Sequence, residues 1–121
     1  EQVKPIYWDS EAAKAAGYGD VIPSPTFQTC FALWGGQGLM PMLQALSINL
    51  GRLLHGEEEY EYLTPIHPGD VMTGKTKVVS MYDKEKKDKP GKFMEFTVLE
   101  TEITNQRGEL VLRSRTTLVE R

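Results

Sequence analysis

The chain has 121 residues and a net charge of −3, with a pI near 5.4. This length suits one domain around one hydrophobic core, so we expect a single domain over residues 1–121. The weakly acidic balance argues against a nucleic-acid partner, and no apolar run or signal-peptide pattern points to a membrane.

The chain opens at Glu1 without a methionine, so we expect part of the natural N-terminus to precede it. Its lone cysteine, Cys30, excludes an internal disulfide and favours a cytoplasmic location. Cys30 lies among apolar residues, which predicts a buried, inert thiol.

The first predicted element is a short helix over about residues 11–16. Asp9 or Ser10 supplies the N-cap, and Gly17 occupies the usual C-terminal glycine position. A connection rich in proline follows, from Val21 to Pro25.

A longer apolar helix is predicted from about Thr26 to Met40. It is apolar on several sides, which favours a helix enclosed by a sheet. The glycines in its second half indicate either close passage of a backbone or slim acyl chain, or a kinked helix end. Pro41 is predicted to start a second helical piece that ends at about Leu46.

Strand patterns begin at about His55, where Tyr60 and Tyr62 alternate with glutamates. A tight turn at Pro65–Asp70 leads to a second strand over about residues 71–82, and Pro90-Gly91 closes a hairpin. Two further strands are predicted over about residues 93–104 and 109–119. Helices followed by an antiparallel meander predict an α+β fold.

Three other kinds of site are weak on the residues alone. His55 and His67 have glutamates nearby, but strand alternation sends neighbouring glutamates to opposite faces, so no metal site is predicted. The glycine-rich run at residues 34–38 lacks the Lys-Ser/Thr of a phosphate loop. The lysines of residues 84–92 suit a coenzyme A phosphate or an acidic carrier protein, but their interleaved acids favour a solvated hairpin tip.

The segment KPIYWDSEAAKAAGYGDVIPSPTF, residues 4–27, resembles the signature segment of the MaoC-like (R)-specific enoyl-thioester hydratases. In that family an Asp and a His bracket an Asn-Pro pair, and a later glycine supplies an oxyanion-hole N–H. Laid onto this chain, the Asp position is Gln2, the His position is Tyr7 and the glycine position is Pro25. The scaffold residues of the segment are retained: Pro5, Ile6, Asp9, Ala12, Ala13, Ala16, Gly17 and Tyr18.

Each replacement removes a specific chemical capability. Gln2 is an amide and cannot act as a carboxylate base. Tyr7 does not titrate near neutral pH without strong help, whereas histidine does. Pro25 has no backbone N–H to donate to a thioester oxyanion. The resemblance therefore predicts that these positions are vestigial and that no catalytic residue is intact.

The resemblance covers essentially the whole chain and is closest to the N-terminal-type, FAS1-like dehydratase branch of the MaoC-like family. LLHGEEEYEYLTPIHPGDVMTGKTKVV and GELVLRSRTTLVER carry it. It implies a hotdog fold, in which a curved antiparallel sheet wraps a long central helix. It also implies a dimer with a catalytic sister chain, an acyl-CoA or acyl-ACP substrate and no cofactor. The candidate walls of the acyl tunnel are Phe27, Phe31, Trp34 and Leu39, and for each of them plain core packing is at least as strongly indicated.

The leading interpretation is a non-catalytic, substrate-binding subunit of a heteromeric (3R)-hydroxyacyl-thioester dehydratase or hydratase. A self-sufficient homodimeric hydratase is the first alternative and would use Tyr7 as its acid/base group, with Lys4 nearby to lower the tyrosine pKa. An acyl-thioester-binding module is the second. A hotdog thioesterase is the third, although Pro23 to Gln28 offers no acid to activate water.

Overall fold

A computed structural model of the protein describes residues 3–34 and 38–121, and only the backbone of residues 32–34. A 3-10 turn at Pro5–Tyr7 comes first, and a second one lies at Leu50–Arg52. The helices are α1 (Ser10–Ala15), α2 (Thr29–Trp34) and α3 (Met40–Ala45). The strands are β1 (Leu53–Tyr62), β2 (Thr73–Glu85), β3 (Phe93–Thr104) and β4 (Leu110–Glu120). The predicted α+β class with an antiparallel sheet is confirmed.

The first helix forms as the sequence predicts. The Asp9 side chain is its N-cap and accepts the backbone N–H of Glu11 at 3.0 Å. Gly17 follows the helix with a φ of 97°, in the left-handed region that only glycine adopts without strain. Ala13 is fully buried, so this short helix is anchored by one small side chain.

The helix predicted from about Thr26 to Met40 is wrong in its bounds. A turn in which Phe27 N–H donates to the Ser24 carbonyl at 3.0 Å precedes α2, so helix begins at Thr29. Gly38 has a φ of 73°, which is incompatible with a right-handed helix. Met40 then starts a separate helix with Pro41 in its first turn. Cys30 is only partly buried.

The strands form one sheet in the order β1-β4-β3-β2, with every neighbouring pair antiparallel. The predicted meander is therefore right for β2 to β4 and wrong for β1, which pairs with β4. The chain leaves β1 beside β4, where Leu63 and Thr64 both donate to the Val111 carbonyl. The proline-rich turn then carries the chain to the far edge, so β1 and β2 form the two edges of the sheet.

The core lies on the face of the sheet that the helices cover, here called the helix face. Leu99 of β3 and Leu118 of β4 pack with Leu43 of α3 in one cluster. Ile103, Val111 and Leu112 form a second cluster, which Phe31 of α2 contacts. Because side chains alternate along a strand, Glu100 and Glu102 point to the opposite, outer face.

A β-bulge separates the two halves of β1. The register with β4 shifts between His55 and Glu57, at Gly56. A Cβ atom at Gly56 would lie 2.8 Å from Val119 Cγ2 and 3.2 Å from the Thr117 carbonyl, so no larger residue fits without movement. Such bulges locally bend a strand and increase its twist.

Candidate functional site

Tyr7 lies in a turn that the backbone closes by itself. Tyr7 N–H donates to the Lys4 carbonyl at 3.2 Å, and Asp9 N–H donates to the Pro5 carbonyl at 2.8 Å. Pro5 sets the φ of the first turn position. The Tyr7 side chain is half-buried and takes no part in these bonds. The turn therefore keeps its shape whatever side chain stands at position 7.

The loop that leads to Pro25 is tied to this turn. Ile22 N–H donates to the Ile6 carbonyl at 3.2 Å. This bond sets the loop beside the turn that carries Tyr7. Two of the positions that the motif singles out, 7 and 25, thus belong to one hydrogen-bonded segment. Gln2 lies outside the described residues.

Pro25 presents a hydrogen-bond acceptor where the resemblance calls for a donor. Its carbonyl accepts hydrogen bonds from the Gln28 side-chain amide and from the Tyr62 hydroxyl. The Gln28 amide also donates to the Tyr62 oxygen. Gln28 is only 5% exposed, whereas Tyr62 is 59% exposed, so the buried glutamine is held by partners that lie at the surface. The donors of Gln28 and Tyr62 are thereby directed at the protein itself.

Sequence reasoning missed Gln28 and Tyr62 as partners of Pro25. The sequence predicts only a place in an alternating strand for Tyr62, and only a place at a helix start without an acid for Gln28. The contact joins the start of α2 to the end of β1. These segments are far apart in the chain, so no local sequence pattern predicts the contact. The need of Gln28 for hydrogen-bond partners follows from its burial, which only the folded chain shows.

The four residues predicted to wall an acyl tunnel do not share one environment. Phe27 is 45% exposed and meets Phe31 edge to face, with ring centroids 5.9 Å apart. Phe31 packs on the cluster of Ile103, Val111 and Leu112. Leu39 packs instead on the cluster around Leu99. The side chain of Trp34 lies outside the described residues. Their role as a tunnel wall stays a prediction.

A groove of about 450 Å³ opens at the other end of the helix face. Apolar side chains from the α3–β1 connection and from all four strands line it, together with the carboxylates of Asp83, Glu95 and Glu120. The apolar members are Leu46, Ile48, Leu53, Met81, Phe96 and Leu118. This volume lies in the usual range for small-molecule sites. The sequence did not indicate this groove, because its walls come from five separate segments of the chain.

The titratable groups near the sheet ends are engaged locally. Burial, followed by the nearby Glu58 carboxylate, raises the pKa of Tyr60. Glu58 accepts a hydrogen bond from Thr116 at 2.7 Å and contacts His55 Nε2 at 2.9 Å. These contacts give His55 and Glu58 structural partners within the strand pair.

Asp70 closes the proline-rich turn, as its sequence position predicts. Its carboxylate accepts the His67 backbone N–H at 2.9 Å and the Gln106 amide at 2.9 Å. The hydrogen bond from Gln106, followed by that from His67, lowers the pKa of Asp70.

Within residues 3–34 and 38–121, no three His, Cys, Asp or Glu side chains are grouped to hold a metal ion.

The lysine-rich hairpin between β2 and β3 holds its first lysine over aromatic rings. Tyr82 and Phe96 stack with ring centroids 4.9 Å apart. The Lys84 ammonium lies 5.2 Å from the Phe96 centroid and 5.5 Å from that of Tyr82. This cation–π geometry gives Lys84 a partner within the chain.

Comparison with known proteins decides the family. The family model described as the FAS1-like, dehydratase domain region matches residues 1–114. The chain belongs to this FAS1-like dehydratase family. It is 36% identical to the UPF0336 protein of Thermobifida fusca over 118 residues, 97% of this chain and 72% of that protein. It is 35% identical to the UPF0336 protein of Saccharopolyspora erythraea, over 97% of this chain and 70% of that protein.

Several solved structures share the fold of this chain. The C-terminally truncated HadBC (3R-hydroxyacyl-ACP dehydratase) complex of Mycobacterium tuberculosis matches with a TM-score of 0.73 and 21% identity, over 98% of this chain and 77% of that chain. The ChsH1–ChsH2 complex of the same organism matches with a TM-score of 0.72 and 17% identity, over 96% and 72%. The MaoC-like dehydratase of Rhodospirillum rubrum matches with a TM-score of 0.62 and 23% identity, over 97% and 73%. The predicted MaoC-like hotdog fold is confirmed.

None of the helices in the described part of the chain is long and apolar enough to cross a membrane.

Proposed function

We propose that this chain is the non-catalytic, substrate-binding subunit of a heteromeric (3R)-hydroxyacyl-thioester dehydratase or enoyl-thioester hydratase. The reaction it serves is reversible addition of water to a trans-2-enoyl thioester of coenzyme A or acyl carrier protein. A sister hotdog chain with an intact Asp/His motif performs the chemistry. Gln2, Tyr7 and Pro25 are the vestigial catalytic positions of this chain.

The environment of Pro25 is the single observation that carries this proposal. An oxyanion hole must aim a fixed N–H at the developing negative charge. Position 25 offers a carbonyl oxygen instead, and the nearby Gln28 and Tyr62 donors are directed at that oxygen. Loss of one oxyanion donor typically lowers the rate about a hundredfold to a thousandfold. A working hydratase centre within this chain is hard to reconcile with that arrangement.

The comparisons support the heteromeric form of the proposal. Two of the structural matches, HadBC and ChsH1–ChsH2, are described as complexes of two named chains. HadBC is a 3R-hydroxyacyl-ACP dehydratase. The fold similarity is consistent with a complex of two different chains here. In this arrangement the present chain completes the sheet and binds the acyl tail, and the groove beside Leu46 and Leu118 is one place that can accept it.

The proposal is tested by measuring hydration of crotonyl-coenzyme A. The purified chain alone is expected to give no rate above background. The same chain mixed with a sister hotdog chain that holds the Asp/His motif is expected to turn over at a rate normal for an enzyme, about 1–1,000 per second. Turnover of this order by the chain alone would contradict the proposal and would favour the homodimeric alternative.

A further inference from the structure

Strand β1 is an edge strand with one side available for pairing. It has 10 residues, from Leu53 to Tyr62, and pairs on one side with β4. Within residues 3–34 and 38–121, no strand pairs with its other side. An unpaired edge presents a row of backbone N–H and C=O groups that is a template for a further strand.

Charges of alternating sign cross the outer face of the sheet in two rows. In register across β2, β3, β4 and β1, the first row is Lys77, Glu100, Arg115 and Glu59, and the second is Lys75, Glu102, Arg113 and Glu61. Four of the neighbouring pairs in these rows form ion pairs. Glu100 lies 3.6 Å from Lys77 and 2.8 Å from Arg115, and Arg113 lies 3.0 Å from Glu61 and 3.5 Å from Glu102.

The rows stop at β1 with glutamates that have a cation on one side only. Glu59 and Glu61 face Arg115 and Arg113 on β4, and the exposed Glu57 of the same face lies opposite Thr117. A strand added to β1 would place its own outer-face side chains directly opposite these three carboxylates. Opposite charges in such cross-strand pairs stabilise a sheet and like charges destabilise it. The alternation of charges across the outer face therefore continues beyond β1 only if the added strand carries cationic side chains on that face.

A second copy of this chain does not meet that requirement in a two-fold arrangement. Two copies of β1 that share one sheet keep their outer faces together, so outer-face residues pair only with outer-face residues. A register centred on Glu59 puts Glu57 opposite the Glu61 of the other copy and brings the two Glu59 carboxylates together. A shift by two residues still leaves glutamate opposite glutamate.

We propose that the outer-face carboxylates of β1 select the strand that pairs with its free edge: an antiparallel strand that carries lysine or arginine at alternate positions of its outer face. This inference rests on the proposed function, since the sister hotdog chain is the expected owner of that strand. The charge pattern selects this partner and disfavours pairing of β1 with itself. Partner choice by charge repulsion as well as attraction is a common route to specificity.

The first test measures self-association of the chain by sedimentation equilibrium. The variant with Glu57→Gln, Glu59→Gln and Glu61→Gln removes the facing carboxylates and leaves hydrogen-bonding side chains. It is expected to form dimers with a Kd about tenfold lower than that of the natural chain. Circular dichroism of both proteins shows that the variant is folded.

The second test measures binding of the sister chain by titration calorimetry. The same triple variant is expected to bind it about tenfold more weakly than the natural chain does. Glu61→Gln and Glu102→Gln form a matched pair, because both carboxylates contact Arg113 and their side chains are 53% and 44% exposed. Only Glu61 lies at the edge, so only Glu61→Gln is expected to weaken binding.

The triple variant is expected to self-associate more strongly and to bind the sister chain more weakly. Loss of folding cannot produce both changes. An unchanged Kd for both self-association and sister-chain binding would overturn the inference, as would equal effects of Glu61→Gln and Glu102→Gln. Open-ended self-association of the natural chain, abolished by Lys75→Gln with Lys77→Gln, would also overturn it by showing that β2 of another copy occupies β1. If the sister chain binds and is active while the triple variant behaves normally, the proposed function stands and this inference fails.

Discussion

The amino-terminal segment, residues 3–34, and the sheet, residues 53–120, are held together in different ways. The amino-terminal segment depends on local backbone contacts: the turn that carries Tyr7, the Asp9 cap of α1 and the bond between Ile22 and Ile6. The sheet depends on buried side chains and on strand pairs that join distant parts of the chain. Local contacts tolerate the loss of functional side chains, because the backbone holds the shape.

The retained and replaced positions of the motif follow this difference. Asp9 caps a helix, Ala13 is fully buried and Gly17 has a positive φ, so each has a structural task. Tyr7 is half-buried and Pro25 is exposed, and neither side chain is needed to close its turn. The proposed non-catalytic role predicts this pattern, because such a segment must keep the first kind of residue and is free to change the second.

The largest effect is expected in the core of the sheet. Leu112 is 1% exposed and lies in the cluster with Ile103 and Val111. Leu112→Ala leaves a cavity and is expected to lower the free energy of unfolding by about 2–5 kcal/mol. Urea unfolding followed by circular dichroism measures the change. Val79→Ala, at an exposed position of β2, serves as the control, and an equal loss from both variants would show that the sheet does not rely on this cluster.

A smaller effect is expected where the two regions meet. The Gln28 amide bonds the Pro25 carbonyl and Tyr62, and so links α2 to β1. Gln28→Ala removes buried hydrogen bonds and is expected to cost about 1–3 kcal/mol of unfolding free energy in the same urea experiment. Gln44→Ala, at an exposed position of α3, is the matched control and should change stability little. If Gln28→Ala left the free energy of unfolding unchanged, the link at Pro25 would not hold the two regions together.

A still smaller and more local effect is expected at the first helix. Asp9→Ala removes the acceptor for the Glu11 and Ala12 N–H groups. Loss of such a cap typically costs about 0.5–2 kcal/mol. Amide hydrogen exchange should show faster exchange in α1 and unchanged protection of β3 and β4. Asp9→Asn, which keeps an acceptor oxygen, should restore protection. Loss of protection throughout the sheet would erase the distinction between the two regions.

The smallest effect concerns the pH dependence of the outer face. The hydrogen bond from Arg115, followed by the Lys77 and Arg115 charges, holds the pKa of Glu100 below its ordinary value of 4.5. A carboxyl group whose pKa is lower in the folded state stabilises the protein fully above its unfolded pKa, and this stabilisation is lost as the pH falls through the folded pKa. Glu100→Gln should therefore flatten the loss of stability below pH 4.5.

Thermal unfolding at a series of pH values measures this change. Glu11→Gln is the control, because Glu11 is an exposed residue of α1. Its stability should fall at low pH as steeply as that of the natural chain. If the stability of Glu100→Gln and of the natural chain fell equally steeply as the pH is lowered, Glu100 would not be a source of the acid-dependent loss.

The sequence predicted those parts of the molecule that local patterns encode. Asp9 and Gly17 marked the ends of α1, and alternation located β3 and β4 to within a residue or so. The placement of β1 beside β4 was missed, because strand order depends on contacts between distant segments. The ladder of charges was missed for the same reason, since alternating charges in one strand only indicate exposure to solvent.

The candidate site was predictable in its chemistry and not in its contacts. Proline without an N–H at position 25 follows from the sequence alone. The saturation of its carbonyl by Gln28 and Tyr62 needs the folded chain. The helix bounds between residues 26 and 40 were also missed, because apolar residues resume at Leu39, directly after Gly38, where the backbone turns left-handed.

The most direct test of the central claim is the kcat of the reconstituted heteromer for crotonyl-coenzyme A. Two changes are compared: Tyr7→Phe in this chain, and alanine for the motif histidine of the sister chain. We expect Tyr7→Phe to leave kcat within about twofold of the unmodified complex, while the sister-chain variant loses at least about a hundredfold, the lower end of what a general acid–base group contributes. A hundredfold loss from Tyr7→Phe, with activity kept in the sister-chain variant, would show that this chain itself performs the chemistry.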